Sequence, residues 1–287
     1  MFTINKETTK LLTLTLTALL FLALNSILCK AALVNDYIDA YSFTFFRLFF
    51  GALTLVLIYY YKNKIFSVSF KKNWITSFML FIYAICFSYA YISLDAGLGT
   101  LLLFGVVQIT MLISSLFLKE KISLQKLFGM ILAFAGLAYL LYPKESFELS
   151  YIHVLLMTLS GIAWAFYSIL GKKSTDAVFN TMDNFVKASL IALVFYIFIN
   201  LDNLHLSLNG ILLAFISGSL TSAIGYVIWY KVLPQMQIIT ASVIQLLVPI
   251  ISIIFSVIFL SELFTFNLTL STIIISLGIL LAIFSKK

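Results

Sequence analysis

Long apolar stretches without a single charged residue are the feature that most constrains the fold of this chain. Leu11–Leu28, Met130–Leu141 and Ile238–Leu260 are three of them. A helix needs about 20 apolar residues to cross the hydrocarbon core of a bilayer. Lipid offers backbone polar groups no water, so only helices and closed barrels span it, and these stretches are too long for barrel strands. The sequence therefore predicts an all-α polytopic membrane protein.

The composition supports this class, since only 10% of the residues are charged and 62% are hydrophobic. A soluble domain carries about 25% charged residues, which it needs to cover its surface. Charged and polar clusters divide the apolar stretches into ten segments. We predict ten transmembrane helices near residues 11–29, 41–61, 74–93, 97–118, 123–142, 151–170, 183–200, 209–230, 236–260 and 265–284. The first apolar stretch lacks a small-residue cleavage site, so we interpret it as a retained helix.

The distribution of Lys and Arg predicts the orientation, because cytoplasmic loops of membrane proteins are enriched in both. Most of them fall at the two ends of the chain and in every second loop: Lys6, Lys10, Lys62, Lys64, Lys71, Lys72, Lys119, Lys121, Lys126, Lys172, Lys173, Lys231, Lys286 and Lys287. We therefore expect both termini to be cytoplasmic, in a bacterial-type cytoplasmic (inner) membrane. The residues responsible for the net charge of +7 lie in these loops and do not form a basic patch on a soluble surface, so no nucleic-acid partner is expected.

An internal repeat predicts the domain organisation. Ser26–Lys30 reads SILCK and Ser168–Lys172 reads SILGK. At the same offset Glu120 matches Glu262, and Gly136 matches Gly278. We predict two five-helix halves, 1–145 and 146–287, with each pentapeptide ending the first helix of its half. Five is an odd number, so the halves are inverted, which is typical of secondary transporters. The alternative is a chance match between apolar segments.

Several stretches together resemble the drug/metabolite transporter superfamily, and within it the EamA-type ten-helix transporters. They are Ala96–Met111, Leu118–Leu141, Ser160–Lys172, Asp183–Leu190, Ser217–Pro234, Ala241–Ile250 and Leu260–Phe266. The resemblance covers nearly the whole chain. The sequence departs from the family pattern at Gln108, which replaces a common Pro, while the second half keeps Pro249. It also has Lys187 where an Arg is more usual.

The first candidate site residues are three amides in apolar segments: Asn25, Gln108 and Gln245. The resemblance places their helices around a central cavity. An amide offers both donors and an acceptor, which suits a solute with carbonyl, amino or carboxylate groups. The alternative is a hydrogen bond between helices, a common role of Asn and Gln in membranes.

Aromatic side chains are the second candidates for substrate binding. Trp164 and Tyr167 are three residues apart and share one helix face. Tyr226, Trp229 and Tyr230 also lie at helical spacing. Such faces can form the wall of a pocket and hold cations or flat groups. The alternative is an aromatic belt at the membrane interface.

Arg47 and Lys187 are basic residues within predicted helices, in roughly equivalent positions of the two halves. We predict a gating role, in which each pairs with partners when its side of the protein is closed. Two alternatives remain, which are snorkelling to the nearer interface and binding of a substrate carboxylate. Glu120 and Glu262 fall at helix ends, where we expect a structural role.

The sequence lacks the motifs of ATP use, since GKKS at Gly171–Ser174 has no upstream glycine. No His, Cys, Asp or Glu spacing indicates a metal or a catalytic centre, so we expect no cofactor and no enzyme activity. We predict a secondary transporter of a small metabolite, amino-acid-like or otherwise amphipathic, that works by alternating access. A membrane-embedded enzyme or a channel is the alternative. The expected partners are the solute and membrane lipid, and homo-oligomerisation is left open.

Overall fold

The chain folds into helices. The computed structural model describes residues 6–69, 71–120, 123–141, 150–198, 204–263 and 266–283. Within these ranges the helices in chain order are α1 (Lys6–Val34), α2 (Ala40–Asn63), α3 (Trp74–Ala90), α4 (Ala96–Phe117), α5 (Leu124–Leu141), α6 (Tyr151–Gly171), α7 (Ala177–Phe195), α8 (Leu208–Gln235), α9 (Ile238–Leu260) and α10 (Phe266–Ile283). The described part has no strand, only an isolated antiparallel bridge between Ile38 and Leu206.

Length and composition make α1, α2, α4, α6, α7, α8 and α9 candidate membrane spans. The other helices, α3, α5 and α10, are apolar but shorter. Large hydrophobic side chains are exposed on many of the helices, for example Leu57, Phe128 and Ile258. Exposed apolar surface of this extent is expected where lipid, rather than water, surrounds a helix bundle. The chain is therefore a helical integral membrane protein.

Two of the long helices depart from regular α-geometry. In α8 the segment Ser217–Ile224 is π-helical, a rare form that is frequent at functional sites. In α9 the α-helix stops at Gln245 and resumes at Leu247. Pro249 explains this break, because it has no N–H to donate to the carbonyl of Gln245 four residues earlier. In α4, where Gln108 replaces the family's Pro, the helix runs without a break.

Several predicted helix ends were wrong, among them the start of α7 and the end of α1. Helix α7 begins at Ala177 rather than near residue 183, because Asp176 caps it: the carboxylate accepts a hydrogen bond from the Phe179 N–H at 3.0 Å. Helix α1 continues to Val34, so the pentapeptide SILCK lies inside it and does not end it. Lys30 of that pentapeptide is buried and donates to the Tyr91 carbonyl.

Helices α2 and α7, the second helix of each half, pack against each other in opposite directions. The Tyr41 hydroxyl near the start of α2 donates to the Ala192 carbonyl near the end of α7. At the other end of the pair, the rings of Tyr59 and Phe179 lie 5.7 Å apart. The start of α2 thus lies beside the end of α7, and the end of α2 beside the start of α7, so the two helices are antiparallel.

Helices α5 and α10, the last of each half, pack in the same antiparallel way, through glycines. A Cβ atom on Gly129 would lie 2.5 Å from the Gly278 carbonyl oxygen, and a Cβ on Gly278 would lie 2.5 Å from that of Gly129. Side chains larger than hydrogen would push the two backbones apart. Small residues at such crossings are typical of helix pairs in membranes.

Several other helix contacts also join one half to the other, in matching pairs. Helix α3 packs against α6, and the corresponding α8 packs against α1. Likewise α4 packs against α6 as α9 does against α1, and α3 against α7 as α8 does against α2. Each half therefore completes its core with helices of the other half, and the centre of the bundle is built from both.

Candidate functional site

Arg47 lies at the centre of the bundle and is 1% exposed. Its Nε donates to Ser222 Oγ at 2.9 Å, and its Nη2 donates to the hydroxyls of Tyr226 at 2.6 Å and Tyr83 at 3.1 Å. The guanidinium also lies over the rings of Tyr83 and Phe87, about 5 Å from each centroid. The interpretation that Arg47 snorkels to an interface is wrong, because its hydrogen bonds all point inward.

Neutral groups alone surround this cation. In the described part of the chain the Arg47 guanidinium forms no ion pair, and its Nη1 has no hydrogen-bond partner. An Arg at the centre of a membrane helix costs about 2.5–3.5 kcal/mol to insert. Hydrogen bonds to a charged group contribute about 1.5–3 kcal/mol each. The two tyrosines and Ser222 therefore position the guanidinium and offset part of this cost, but they do not balance its charge.

Asn25 lies next to this group, on α1. Its side-chain oxygen accepts hydrogen bonds from three hydroxyls of the π-helical segment: Ser217 at 2.8 Å, Thr221 at 2.6 Å and Ser222 at 3.1 Å. Ser222 thus bridges Asn25 and Arg47. The Asn25 amide nitrogen has no partner among the described residues. This network uses the hydroxyls of α8 to fix the orientation of the Asn25 amide.

Five aromatic rings form a buried cluster beside Arg47, which we call the central aromatic cluster: Tyr83, Trp164, Tyr167, Tyr226 and Tyr230. The Trp164 ring lies 4.9 Å from those of both Tyr83 and Tyr226. Tyr167 stacks on Trp164 at 5.5 Å and on Tyr230 at 4.8 Å. The predicted pair Trp164 and Tyr167 therefore shares one face, and that face is directed at the rings of α8.

The two candidate glutamines differ in their hydrogen bonding. Gln245 is satisfied at both ends: its oxygen accepts from Trp164 Nε1 at 2.7 Å, and its nitrogen contacts the Ala241 carbonyl and the Met111 sulfur. Gln108 lies one turn before Met111 on α4 and is 3% exposed. Its Nε2 has no partner among the described residues. Gln108 is thus the glutamine with a free donor.

Trp229 stands apart from the central aromatic cluster. It is fully buried, and its Nε1 donates to Ser168 Oγ at 3.1 Å. Across the described residues no ring contact joins it to the cluster. The interpretation of Trp229 and Tyr230 as an interfacial belt is wrong, since both side chains are buried between helices.

Lys187 lies in a different environment from Arg47. Its Nζ pairs with Asp183 Oδ2 at 2.6 Å and donates to the Lys72 carbonyl at 2.5 Å, and its side chain is 2% exposed. Asp183 also accepts from the Ser69 N–H and the Asn73 amide. The snorkelling interpretation of Lys187 is therefore wrong. The pair ties the loop between α2 and α3 to α7, and we call these contacts the Asp183 closure.

A second set of loop contacts lies where α2 begins. Asp39 Oδ2 accepts from the His205 N–H at 3.1 Å, and the Asp39 N–H donates to the His205 carbonyl. The Ser207 N–H donates to the Tyr37 carbonyl at 2.8 Å. These contacts, the Asp39 closure, join the α1–α2 loop to the segment before α8. Both ends of the α2–α7 pair are thus closed by loop contacts.

Sequence reasoning missed several residues of the site, namely Tyr83, Phe87, Ser217, Thr221 and Ser222. The hydroxyls of α8 carried a usable signal, because they cluster in one short stretch of an apolar helix. Tyr83 and Phe87 did not, since α3 also contains Phe78, Phe81 and Tyr89. In the part of the chain that is described, no group of three or more His, Cys, Asp or Glu could hold a metal ion.

The fold and the site define the class as a polytopic helical membrane protein with a buried polar and aromatic centre. The chain belongs to the EamA-like transporter family, which matches it twice, at residues 9–142 and 151–284. This family is part of the drug/metabolite transporter superfamily, so the resemblance is confirmed.

Relatives and a solved structure agree with this assignment. The chain is 40% identical to a Pseudomonas aeruginosa protein described as uncharacterized, over 88% of this chain and 86% of the relative. It is 24% identical to the uncharacterized transporter YoaV of Bacillus subtilis, over 85% and 87% of the two chains. A crystal structure with 14% identity superposes with a TM-score of 0.76 over 95% of this chain and 98% of that one, which shows a shared fold.

Proposed function

We propose that the protein is a secondary transporter that moves a small amphipathic metabolite, with amino-acid-like solutes in this class, across the cytoplasmic membrane. Membership of the EamA-like transporter family supports transport as the activity. The observation that carries the proposal is the central site itself. Arg47 and Tyr83 of the first half meet Trp164, Ser222 and Tyr226 of the second half there, as expected for a solute site between two repeats.

The architecture that we propose is ten transmembrane helices in two inverted five-helix halves, 1–145 and 146–287. The boundary between the halves lies outside the described residues. The antiparallel packing of α2 with α7 and of α5 with α10 supports the inversion, because these are corresponding helices. The exchange of helix contacts between the halves supports it as well. The lysine-rich loops support cytoplasmic termini.

Alternating access follows from this symmetry. We propose that the Asp183 closure and the Asp39 closure are the two gates, and that each opens while the other stays closed. Lys187 acts in the first gate through its pair with Asp183. Arg47 connects α2 to α3 and α8, so a shift of α2 at either gate moves the residues of the central site. The solute would bind among Asn25, Gln108, Gln245 and the central aromatic cluster.

The alternatives are a channel and a membrane-embedded enzyme. A channel needs a continuous polar pore, whereas the polar centre here is packed against a cluster of rings in direct contact. An enzyme needs reactive groups in reach of each other. The central site offers an Arg, amides and hydroxyls without a base or a nucleophile activated by one. Binding and release of an unmodified solute is the activity that these groups support best.

The test is solute binding followed by flux. Purified protein is screened for thermal stabilisation by amino acids, nucleosides, sugars, carboxylic acids and organic cations, and hits are tested for counterflow in proteoliposomes. We expect a hit whose stabilisation is reduced by Gln108→Ala. The matched control is Gln235→Ala, since Gln235 is exposed and bonds only to its own helix. Binding without counterflow would contradict transport, and equal loss in both variants would contradict the site.

A further inference from the structure

Three of the four unpartnered polar atoms at the central site share one chemistry; the fourth, the Tyr167 hydroxyl, can either donate or accept. Arg47 Nη1, Asn25 Nδ2 and Gln108 Nε2 are all N–H donors, and each is buried without a hydrogen-bond partner among the described residues. Buried donors are almost always paired, because leaving one unpaired costs its full desolvation. A solute that completes this site must therefore bring acceptors. A solute that brings only donors would leave all three groups unpaired.

The charge balance of the site makes the same demand. The guanidinium is always protonated, and its described partners are the neutral Ser222, Tyr83 and Tyr226. Two buried lysines differ in this respect: Lys187 has the carboxylate of Asp183 at 2.6 Å, whereas Lys30 donates to the neutral Tyr91 carbonyl. Charged side chains at membrane depth commonly pair or mark the path of a substrate. Arg47 thus offers one positive charge without a protein counterion in the described part of the chain.

The free donors are arranged along the central aromatic cluster. Ser222 joins Arg47 to Asn25, so two of the donor groups belong to one network at one end. Gln245 lies at the other end, where its oxygen accepts a hydrogen bond from Trp164 Nε1 and its nitrogen contacts the Met111 sulfur. Gln108 lies one turn before Met111 on α4. Between the two ends lie the rings of Tyr83, Trp164 and Tyr226.

We propose that the transported solute is a monocarboxylate with a flat or apolar body. Its carboxylate binds the free Nη1 of Arg47 and the Asn25 amide nitrogen, and its body lies against Tyr83, Trp164 and Tyr226. Nη1 and the amide nitrogen carry two N–H groups each, which matches the four lone-pair sites of a carboxylate. This inference rests on the proposed transport function, and it adds the chemical class of the solute.

The number of charges selects a monoanion. One guanidinium neutralises one carboxylate, whereas a phosphate dianion would keep an unbalanced charge in a site lined by rings. A neutral ion pair can be buried between the two gates at a lower cost than a free cation. A comparison of phenylalanine with 3-phenylpropionate, which lacks the ammonium group, measures whether the site also accepts that group.

The experiment measures binding of three probes to the full-length protein in lipid nanodiscs by calorimetry. The probes are 3-phenylpropionate, phenylalanine and phenylalaninamide, of which only the last lacks a carboxylate. We expect the two acids to bind and the amide to bind about 10- to 100-fold more weakly, as expected for the loss of charge-assisted hydrogen bonds. Equal binding of phenylalanine and phenylalaninamide, which differ only in the carboxylate, would overturn the proposal.

Two variants separate recognition from a merely structural role of Arg47. Arg47→Gln should lose binding of both acids and should not weaken that of the cationic amide, because it removes a like charge, whereas a structural role predicts an equal loss for all probes. Asn25→Asp keeps the size of the side chain but places a carboxylate beside Ser222, where it would neutralise Arg47 and repel the acids. Asn25→Asp therefore tests the same recognition if the Arg47→Gln variant does not fold. Lys10→Gln, at an exposed lysine, is the control for the loss of a positive charge.

The outcome for the solute class is distinguishable from that for transport. Counterflow of neutral or cationic solutes, with no response to any carboxylate in either assay, would overturn the proposed class and leave transport intact. Selective binding of carboxylates without flux in proteoliposomes would support the class and contradict the transport function. Acid-selective binding, loss of it in Arg47→Gln and counterflow together would support both.

Discussion

Glu120 and Glu262 cap helices of opposite halves of the chain in a reciprocal way. Glu120 follows α4, and its carboxylate accepts from the first two N–H groups of α9, those of Ile238 at 3.0 Å and Ile239 at 3.2 Å. Glu262 follows α9 and accepts from the first two N–H groups of α4, at 2.6 and 3.2 Å. Each glutamate thus satisfies free donors of a helix N-terminus with a negative charge, where the helix dipole favours one.

Removing the charge of Glu262 should destabilise the bundle. Glu262→Gln keeps the size of the side chain but weakens two charge-assisted hydrogen bonds, so we expect a loss of about 1–2 kcal/mol in unfolding free energy. Glu120→Gln should cost a similar amount, because its additional ion pair with Lys172 is partly exposed and contributes little. Thermal unfolding in detergent measures both. Glu7→Gln, at an exposed glutamate, is the control, and equal melting temperatures for all three would contradict the capping role.

The ion pair of Asp183 and Lys187 gives a second prediction. Both side chains are buried, so Asp183→Asn leaves a buried cation without its counterion, which typically costs about 3–5 kcal/mol. Replacing Lys187 by Met in the same chain removes that cation and should recover much of the loss. Unfolding free energies of the two single variants and the double variant form a cycle that measures the coupling. Additive effects would show that the pair does not act as a unit.

The fold could be predicted from the sequence as far as the apolar stretches define it. Runs such as Ile238–Leu260 determine where helices lie, because lipid leaves the backbone few alternatives. Helix ends depend on single hydrogen bonds instead. Asp176 starts α7 earlier than its apolar stretch suggests. Lys30 can lie inside α1 because its ammonium group donates a hydrogen bond to the Tyr91 carbonyl. Neither contact can be predicted from the hydropathy of the sequence.

The candidate site was predictable by residue type but not by partner. Asn25, Gln108 and Arg47 could be selected because polar groups are rare in apolar stretches. Their partners Tyr83 and Ser222 come from α3 and α8, which the chain brings to α2 only through the packing of both halves. A regular helical wheel places Ser217 and Thr221, four residues apart, on one face of α8. The π-helical segment, with its i,i+5 spacing, also brings Ser222 to the same amide, which a regular wheel would not predict.

The crossing of α5 and α10 supplies a third prediction. Gly129→Leu would force a side chain into the backbone of α10, where even a Cβ atom meets the Gly278 carbonyl at 2.5 Å. Overpacking of this kind typically costs about 1–3 kcal/mol. Ala138→Leu on the exposed face of the same helix is the matched control. We expect a lower melting temperature for Gly129→Leu alone, and an equal melting temperature of the two variants would contradict the close approach.

The break in α9 gives a fourth prediction, on motion. Pro249→Ala supplies the N–H that the Gln245 carbonyl lacks, so the helix can continue through Leu246. If the break allows the halves of α9 to move separately during the opening of a gate, its repair should lower the maximal flux about tenfold, because such steps limit many turnover rates. Affinity should change little, since the side chain of Gln245 keeps its contact with Trp164.

The measurement for Pro249→Ala is counterflow rate together with solute affinity, with hydrogen exchange of residues 245–250 as the structural readout. Repair predicts slower exchange in this segment and slower flux at unchanged affinity. The matched control is Pro234→Ala. Pro234 is exposed and lies in the 3-10 turn that ends α8, whereas Pro249 lies in the interior of α9. Slower exchange with full flux would show that the break is not needed for transport, since the repaired helix would then still open both gates.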